Sequence, residues 1–559
     1  METYQPAESV PPGVSRRAFL SASGAAALIG TNVVSSTAVA SAAPALSELA
    51  VGAHYDVTIG LPDPTTAAND KYPDTGQFLT DGAMAGDHYS DSGWVGYLNQ
   101  GWREVVIDLG VTSTIHRLST DFLFFPSAGI FLPDTLSYSL SEDGTTFRVV
   151  GLIHGNNTGI VSERRHLEAD ITPTYARFVK LIFDVNTFCF VDEVSVRGTS
   201  GVEVGAQPPS GDLAVAPVPD HDEFLHQGTA RVGCVSNMFL AYTYQSDSTS
   251  GEIGRWSMED LRAVVTHVDA SGVSTDWMWD TVLFMAGVGN DYGQRRSWDD
   301  LLDQLFEPDN DVDALDQAVR EARSELGAPR KRRRVILGIP NPDNTLEQAW
   351  GVLDGQLLDL NPTRVGEEQS AANRAMVVDW YITEAIRRFE SAGHANIELA
   401  GFYWMIERIA PRSSDSALVH EVSRLIRARG LKFYWIPHYQ AAGYQNWRRY
   451  GFDAAMLQHG YHRAPWTSEQ TERLTHCCDM ARWSGQGIQL SIDGQVNTKP
   501  DALVKWFQQL SIFHEEGAGE AIKCYYWGSR KTFQTMLAST NPEVRRTYDA
   551  GYEFIRESR

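Results

Sequence analysis

Leu399-Ala400-Gly401-Phe402-Tyr403-Trp404-Met405-Ile406-Glu407 is apolar or aromatic throughout and then ends on a carboxylate. A run without polar alternation suits a parallel strand buried on both faces. A carboxylate at its C-terminal end suits a barrel, whose chemistry sits where the strands stop. Seven more runs of this kind flank it, at 232–242, 277–285, 334–339, 432–438, 454–459, 488–492 and 522–527. Between them, 257–268, 314–326, 376–392, 416–429, 468–483 and 501–516 carry the apolar spacing of amphipathic helices. Eight strand-then-helix units predict an α/β fold, a (β/α)8 barrel over 225–559. A doubly wound open sheet shares the alternation. It usually carries a Gly-rich phosphate loop after an early strand, and this chain has none.

Upstream the pattern changes. From 50 to 199 short alternating runs such as Val105-Val106-Ile107-Asp108-Leu109-Gly110, Leu136-Ser137-Tyr138-Ser139-Leu140 and Ala176-Arg177-Phe178-Val179 are separated by turn residues. They predict an all-β antiparallel sandwich. Residues 200–224 carry Gly, Pro and Ser without an apolar period and read as a linker. The first 43 residues contain Ser15-Arg16-Arg17-Ala18-Phe19-Leu20, a mild Ala- and Gly-rich apolar run, and small-residue cleavage sites at Ala38-Val39-Ala40. They resemble a twin-arginine signal peptide, which implies the Tat export machinery as a partner and a secreted protein.

Composition narrows the ligand. The 559 residues hold 47 Lys and Arg against 71 Asp and Glu, a net charge of −24. Such a surface repels phosphate backbones and anionic lipid, so neither nucleic acid nor stable membrane insertion is expected. Sugars remain, and the 15 Trp and 21 Tyr suit them. The run Arg330-Lys331-Arg332-Arg333-Arg334 reads as the start of a strand on the solvated N-terminal rim. Five scattered cysteines give neither a disulfide framework nor metal spacing and read as core. Gly-x-Ser-x-Gly, His-Glu-x-x-His and Cys-x-x-Cys are all absent.

The expected strand ends gather polar and aromatic groups: Tyr242-Thr243-Tyr244, Gly287-Val288-Gly289-Asn290-Asp291, Glu407, His438-Tyr439, Gln458-His459-Gly460-Tyr461-His462, Asp493 and Tyr525-Tyr526-Trp527. Gln489, Ser491 and Asp493 alternate on one face. Glycoside hydrolysis needs two carboxyl groups flanking the scissile bond. Glu407 and Asp493 are the natural catalytic pair, with Tyr242, Trp404, His438, Tyr439, His459, Gln489 and Trp527 as substrate-binding residues and no catalytic cofactor. The blander alternative pairs Glu407 with Arg408 or Arg412 and makes Asp493 a loop cap.

Two resemblances refine this. Thr80-Asp81-Gly82, Trp94, Val106-Ile107-Asp108-Leu109-Gly110, Ser139-Leu140-Ser141-Glu142-Asp143-Gly144, Ala176-Arg177-Phe178-Val179 and Val191-Asp192-Glu193-Val194 follow in order. This segment resembles the discoidin, or factor V/VIII type C, jelly-roll family, which includes carbohydrate-binding modules. The resemblance implies a structural Ca2+ at Asp81 and Glu193. It leaves Trp94, Phe124, Phe125 and Phe131 open as sugar-stacking or core residues. Met238-Phe239-Leu240-Ala241-Tyr242, Trp279-Asp280-Thr281-Val282-Leu283-Phe284, the quoted Leu399–Glu407 run, Phe433-Tyr434-Trp435-Ile436-Pro437 and Phe452-Asp453 resemble an uncharacterised bacterial family of glycoside-hydrolase-like barrels. That resemblance implies Glu407 as the acidic residue of strand four and alternating acids on strand seven, where this chain has Gln489 and Ser491 before Asp493. Three readings stay open: Asp493 serves alone, the second carboxylate comes from elsewhere, or the protein binds a polysaccharide or glycoconjugate without cleaving it.

Overall fold

A computed structural model describes residues 45–60, 72–98, 101–185, 187–214, 223–243, 255–285, 292–463 and 468–558. The expected signal at 1–43, Tyr244 and Gly287–Asp291 lie outside them. Leu46–Arg559 forms one compact unit. No helix among the described residues is long and apolar enough to cross a membrane.

In the first part the named strands all pair antiparallel. Its two longest strands, Trp102–Phe124 and Glu163–Asp184, pair with each other, and each changes its outer partner midway. Residues 103–108 lie against His54–Ile59, whereas 113–123 lie against Phe188–Ser200. Residues 178–183 lie against Leu136–Ser141, which pairs in turn with Arg148–Ile153. The register shifts between Asp108 and Thr114, and such irregularities bend a strand and re-aim it. One core with Ile107, Leu118, Phe122, Leu140, Val179 and Val196 fully buried results. Trp94 and Phe124 are also buried, whereas Phe125 and Phe131 are half-buried.

Residues 203–214, expected as linker, run back along this sheet instead. The Gln207 N–H donates to Pro173 O at 2.9 Å, Val149 N–H to Asp212 O at 2.9 Å and Ala214 N–H to Phe147 O at 2.9 Å. Backbone pairing of this sort needs no apolar period, so the Gly- and Pro-rich sequence does not show it.

The second part is a closed ring of eight parallel strands: β1 Asn237–Tyr242, β2 Thr281–Met285, β3 Arg333–Ile339, β4 Ile397–Trp404, β5 Lys432–Trp435, β6 Ala454–Leu457, β7 Gly487–Ser491 and β8 Lys523–Tyr526. β8 closes on β1 through Lys523, Cys524 and Tyr525 against Asn237, Met238 and Phe239. Every residue of β2, β6 and β7 is buried, as the apolar runs require. Among the described residues, helices stand in six of the seven connections between strands, and two more follow β8. Between β5 and β6 there is instead a 3-10 turn, Tyr444–Asn446. The helix expected at 257–268 is Met258–Val265, held by a Ser257–Asp260 capping box. Its last residues leave the helix for a short hairpin, Thr266–Val268 with Ser274–Trp277.

Side chains alternate between the lumen and the helix layer. Tyr403 on β4 interacts electrostatically with Tyr242 on β1 and Cys524 on β8, strands that are not its neighbours, so these three meet across the lumen. Gln489 and Ser491 lie opposite Cys524 and Tyr526 and share that face. The other face is aromatic core: Phe239 meets Phe533, and Trp527 meets Trp506 and Tyr548. The basic run opens β3 at the opposite rim, where Arg332 and Arg334 both pair with Glu398. All five cysteines are free, and Cys189, Cys477, Cys478 and Cys524 are buried.

Candidate functional site

Glu407 lies three residues beyond β4, at the C-terminal mouth of the ring. Its side chain reaches solvent, yet the surrounding protein raises its carboxyl above the usual glutamate value. Two neighbours oppose the rise: the Gln458 amide, and after it the charge of Arg463. Gln458 Nε2 donates to Glu407 Oε1 at 2.9 Å and to Ile436 O at 2.7 Å. The amide is therefore fixed as a donor, and Oε2 is left to carry a proton.

Two tyrosines feel this carboxyl, and a third packs against one of them. Glu407 holds the phenol protons of Tyr242 and Tyr403 more tightly, adding to the effect of burial. The Tyr242 and Tyr526 rings meet edge to face at 5.8 Å. Arg463 Nη2 donates to the Tyr526 hydroxyl at 3.3 Å. His462 tilts against Tyr526 at 5.5 Å, and both its ring nitrogens are buried without a hydrogen-bond partner. Burial, with the charges of Arg463 and Lys505, pushes its pKa down to about 3.

The expected residues sort unevenly. Tyr242, Gln489 and His438 are placed at the lumen or its mouth; burial and Arg473 push His438 down to about 4. Gly460, at φ +62°, puts its backbone against the His438 ring, where a Cβ would stand 3.1 Å from Nε2. Tyr439 is buried beneath the Arg473 guanidinium, 5.1 Å from the ring centroid. Trp404 and Trp527, each 1% exposed, belong to the core on the helix side and are corrected as subsite walls. On β4 and β8 the lumen residues are their neighbours Tyr403 and Tyr526. His459, 0% exposed, is a structural clip: Nε2 bonds Gln509 Oε1 at 3.0 Å, and Gln509 also takes the Ser491 N–H. Asp493 caps the turn Gly494–Asn497, accepting from Gln495 N–H at 2.9 Å. Among the described residues no hydrogen bond, ion pair or electrostatic interaction joins it to Glu407. Gln458, His462 and Tyr526 stood among the expected strand ends without an assigned role, and Tyr403 and Arg463 were missed. The one available signal was strand parity: alternation shows in Gln489-Leu490-Ser491, but a wholly apolar strand hides it.

A family model, "Domain of unknown function (DUF4855)", matches residues 237–553, from the first residue of β1 into the last helix. The chain belongs to the DUF4855 family. Its DUF4855 segment is thus the whole ring with its helices. No curated protein matches the chain. Among solved structures it is similar to the CpGH89CBM32-5 module of Clostridium perfringens, in complex with GalNAc-beta-1,3-galactose, at 19% identity, over 27% of this chain and 99% of that one, TM-score 0.20. It is similar to the C-terminal domain of a chitobiase from Bacteroides fragilis at 17% identity, over 28% and 100%, TM-score 0.21. A third is a Ruminococcus gnavus GH29 fucosidase in complex with fucose, at 14% identity over 28% of this chain and 27% of that one, TM-score 0.21. TM-scores this low leave the function of the DUF4855 chain to be argued from its own residues.

The loop that carries Glu407 is held from two sides. Within the barrel, Trp435 Nε1 donates to Ile406 O at 2.7 Å, Ile409 N–H to Ala442 O at 2.9 Å and the Tyr450 hydroxyl to Ile409 O at 2.9 Å. Gly443, at φ +75°, sits where a Cβ would collide with the Ile409 carbonyl. From the sandwich, Asn157 Nδ2 donates to Pro411 O at 2.8 Å, and Asp134 takes Arg412 at 2.8 Å and Arg449 at 3.3 Å. Thr187 donates to Gln440 O, two residues from His438, at 3.2 Å.

Asp81 and Glu193 are brought together in the sandwich. The Gly82 N–H donates to Glu193 Oε1, while Oε2 is buried without a partner. Burial raises this carboxyl to about 7, helped by Asp81, Asp192 and Glu48. Among the described residues no three His, Cys, Asp or Glu side chains are gathered for a metal, so a cation here would also need backbone carbonyls.

Proposed function

We propose that this chain is an exported glycoside hydrolase that cleaves a polysaccharide or oligosaccharide at the mouth of a (β/α)8 barrel, with Glu407 as general acid. The observation that carries this is a carboxyl of raised pKa at the strand ends, held on one oxygen by Gln458 and felt by two phenols. A general acid must keep its proton until the leaving oxygen needs it, and crowding supplies that. Tyr242 and Tyr403 stay protonated and offer donors to sugar hydroxyls, while their rings offer faces to C–H groups. Asp493 is the partner carboxylate of the two-carboxylate mechanism, and to act it must release the Gln495 N–H. The jelly-roll, discoidin-like module brings the barrel to its polymer, with Ca2+ at Asp81 and Glu193 fixing its loops. The twin-arginine segment delivers the folded protein outside the cell.

Glu407→Gln in the mature protein should abolish reducing-end release from a responsive polysaccharide while sparing binding; unchanged turnover removes Glu407 from the mechanism. One observation favours a second reading, a glycan-binding protein without turnover: Asp493 is engaged as a cap and uncoupled from Glu407. Under it, neither wild type nor Asp493→Asn releases reducing ends from any glycan they bind.

A further inference from the structure

The barrel mouth departs from the charge balance of the chain around it. Among the described residues most arginines of this acidic chain sit on a carboxylate, and Arg332, Arg334, Arg374, Arg412 and Arg429 all have one within 3.3 Å. Arg463 and Arg473, both beside the mouth, do not. Among the described residues no carboxylate lies within 4.0 Å of either. Arg463 spends one hydrogen bond on the Tyr526 hydroxyl. Arg473 lies over the Tyr439 ring with its Nε buried and unbonded. Two imidazoles lie between them: His438 tilts on the same Tyr439 ring at 4.6 Å, a Cβ on Gly460 would stand 3.1 Å from His438 Nε2 and 3.9 Å from Arg473 Nη1, and His462 and Arg463 follow Gly460 in the chain. His462 adds two buried ring nitrogens without a partner. Lys505 holds the same loop through the His462 carbonyl at 3.3 Å. The charge of Arg463 is felt by Glu407, the residue assigned to catalysis.

Unpaired guanidinium groups beside neutral imidazoles, in a chain this acidic, leave the compensating charge to the ligand. We propose that the mouth takes an acidic glycan, seating the carboxylate of a uronic acid residue on Arg463 and Arg473 beside Glu407. A guanidinium matches a carboxylate with two parallel N–H···O bonds, a geometry no ammonium reproduces. Neutral imidazoles suit the flanking hydroxyls, because each offers one donor and one acceptor. A sulfate ester presents the same charge and acceptor oxygens, so it is the other source of this chemistry. The net negative charge of the rest of the chain disfavours polyanion binding elsewhere.

The inference rests on the reading of the mouth as a glycan site, and the test separates the two. Full-length Glu407→Gln protein is run in affinity gels containing polygalacturonate or alginate, carrageenan, or the neutral xyloglucan and galactomannan. Retardation by polyuronate is expected, weakening at least tenfold in Arg463→Met and Arg473→Met and between 50 and 300 mM salt, with Arg463→Lys in between. Retardation by carrageenan alone, with the same arginine dependence, assigns the anion to sulfate. Polyuronate binding that survives both arginine variants, or binding confined to neutral glycans, overturns the acidic-substrate proposal and leaves the glycan reading standing. No retardation in any gel overturns both.

Discussion

Asn157→Ala tests whether the sandwich holds the loop that carries Glu407. The side chain is 3% exposed and makes three bonds: Oδ1 accepts the Leu132 N–H at 2.8 Å, and Nδ2 donates to Leu132 O at 3.1 Å and to Pro411 O at 2.8 Å. Truncation strands one N–H and two carbonyls. Each buried unpaired group costs about 1–3 kcal/mol, so roughly 3–5 kcal/mol is expected, less if water enters the gap. Two of the three groups belong to Leu132, so a loss of sandwich stability alone proves nothing about the loop. The informative measurement is hydrogen exchange over residues 405–413, above all at the Ile409 N–H bonded to Ala442 O. Losing about 1.4 kcal/mol of local stability there speeds exchange tenfold. Asp134→Ala should act in the same direction, and its cycle with Arg412→Ala should give a coupling of about 1 kcal/mol, because Arg412 is half exposed. Unchanged exchange at 405–413 in Asn157→Ala, alongside a destabilised sandwich, would refute the clamp.

Glu193 gives a pH signature in calcium-free buffer. Its folded carboxyl is raised to about 7, so its contribution is full below pH ~4.5 and is lost as pH rises through ~7. Full burial would make that about 3 kcal/mol, and solvent on one side reduces it to about 1–2. Thermal midpoints of wild type should therefore fall from pH 5 to 8 relative to Glu193→Gln, and added calcium should narrow the gap; parallel curves would count against the site. Gln458→Leu removes a bond that lowers the Glu407 pKa, so the alkaline limb of kcat/KM should move upward, and an unmoved limb would exclude Glu407 as the titrating acid. Lys523, buried at the start of β8, is pushed down to about 7. The unfolded chain then binds the extra proton, so stability should rise by up to about 1.4 kcal/mol per pH unit between ~7 and ~10, a slope that denaturant titration should find missing in Lys523→Met.

The ring was legible in the chain because parallel strands under helices are apolar at every position, and eight such runs are hard to mistake. Glu407 was legible for the same reason: a carboxylate closing the 399–406 run has few places to be except the mouth. The absence of alternation that revealed these strands also concealed which side chain of each pair faces inward. Tyr403 and Tyr526 look no different from Trp404 and Trp527 until the register across the ring is known. Asp493 read as a partner acid because strand parity put it on the rim, but a short-range bond to Gln495 N–H claims its side chain, and local bonds of that kind have little sequence signature. The hold of Asn157 on the Pro411 carbonyl and of Asp134 on the Arg412 guanidinium joins residues more than 250 positions apart, and the Arg463–His462–His438–Arg473 row draws on the turn after β6, the loop after β5 and the helix Ser468–Ser484. Patterning along one chain reports which face of an element is wet. Which elements meet, and which charges are left without partners when they do, is settled by packing between segments that sequence order does not connect.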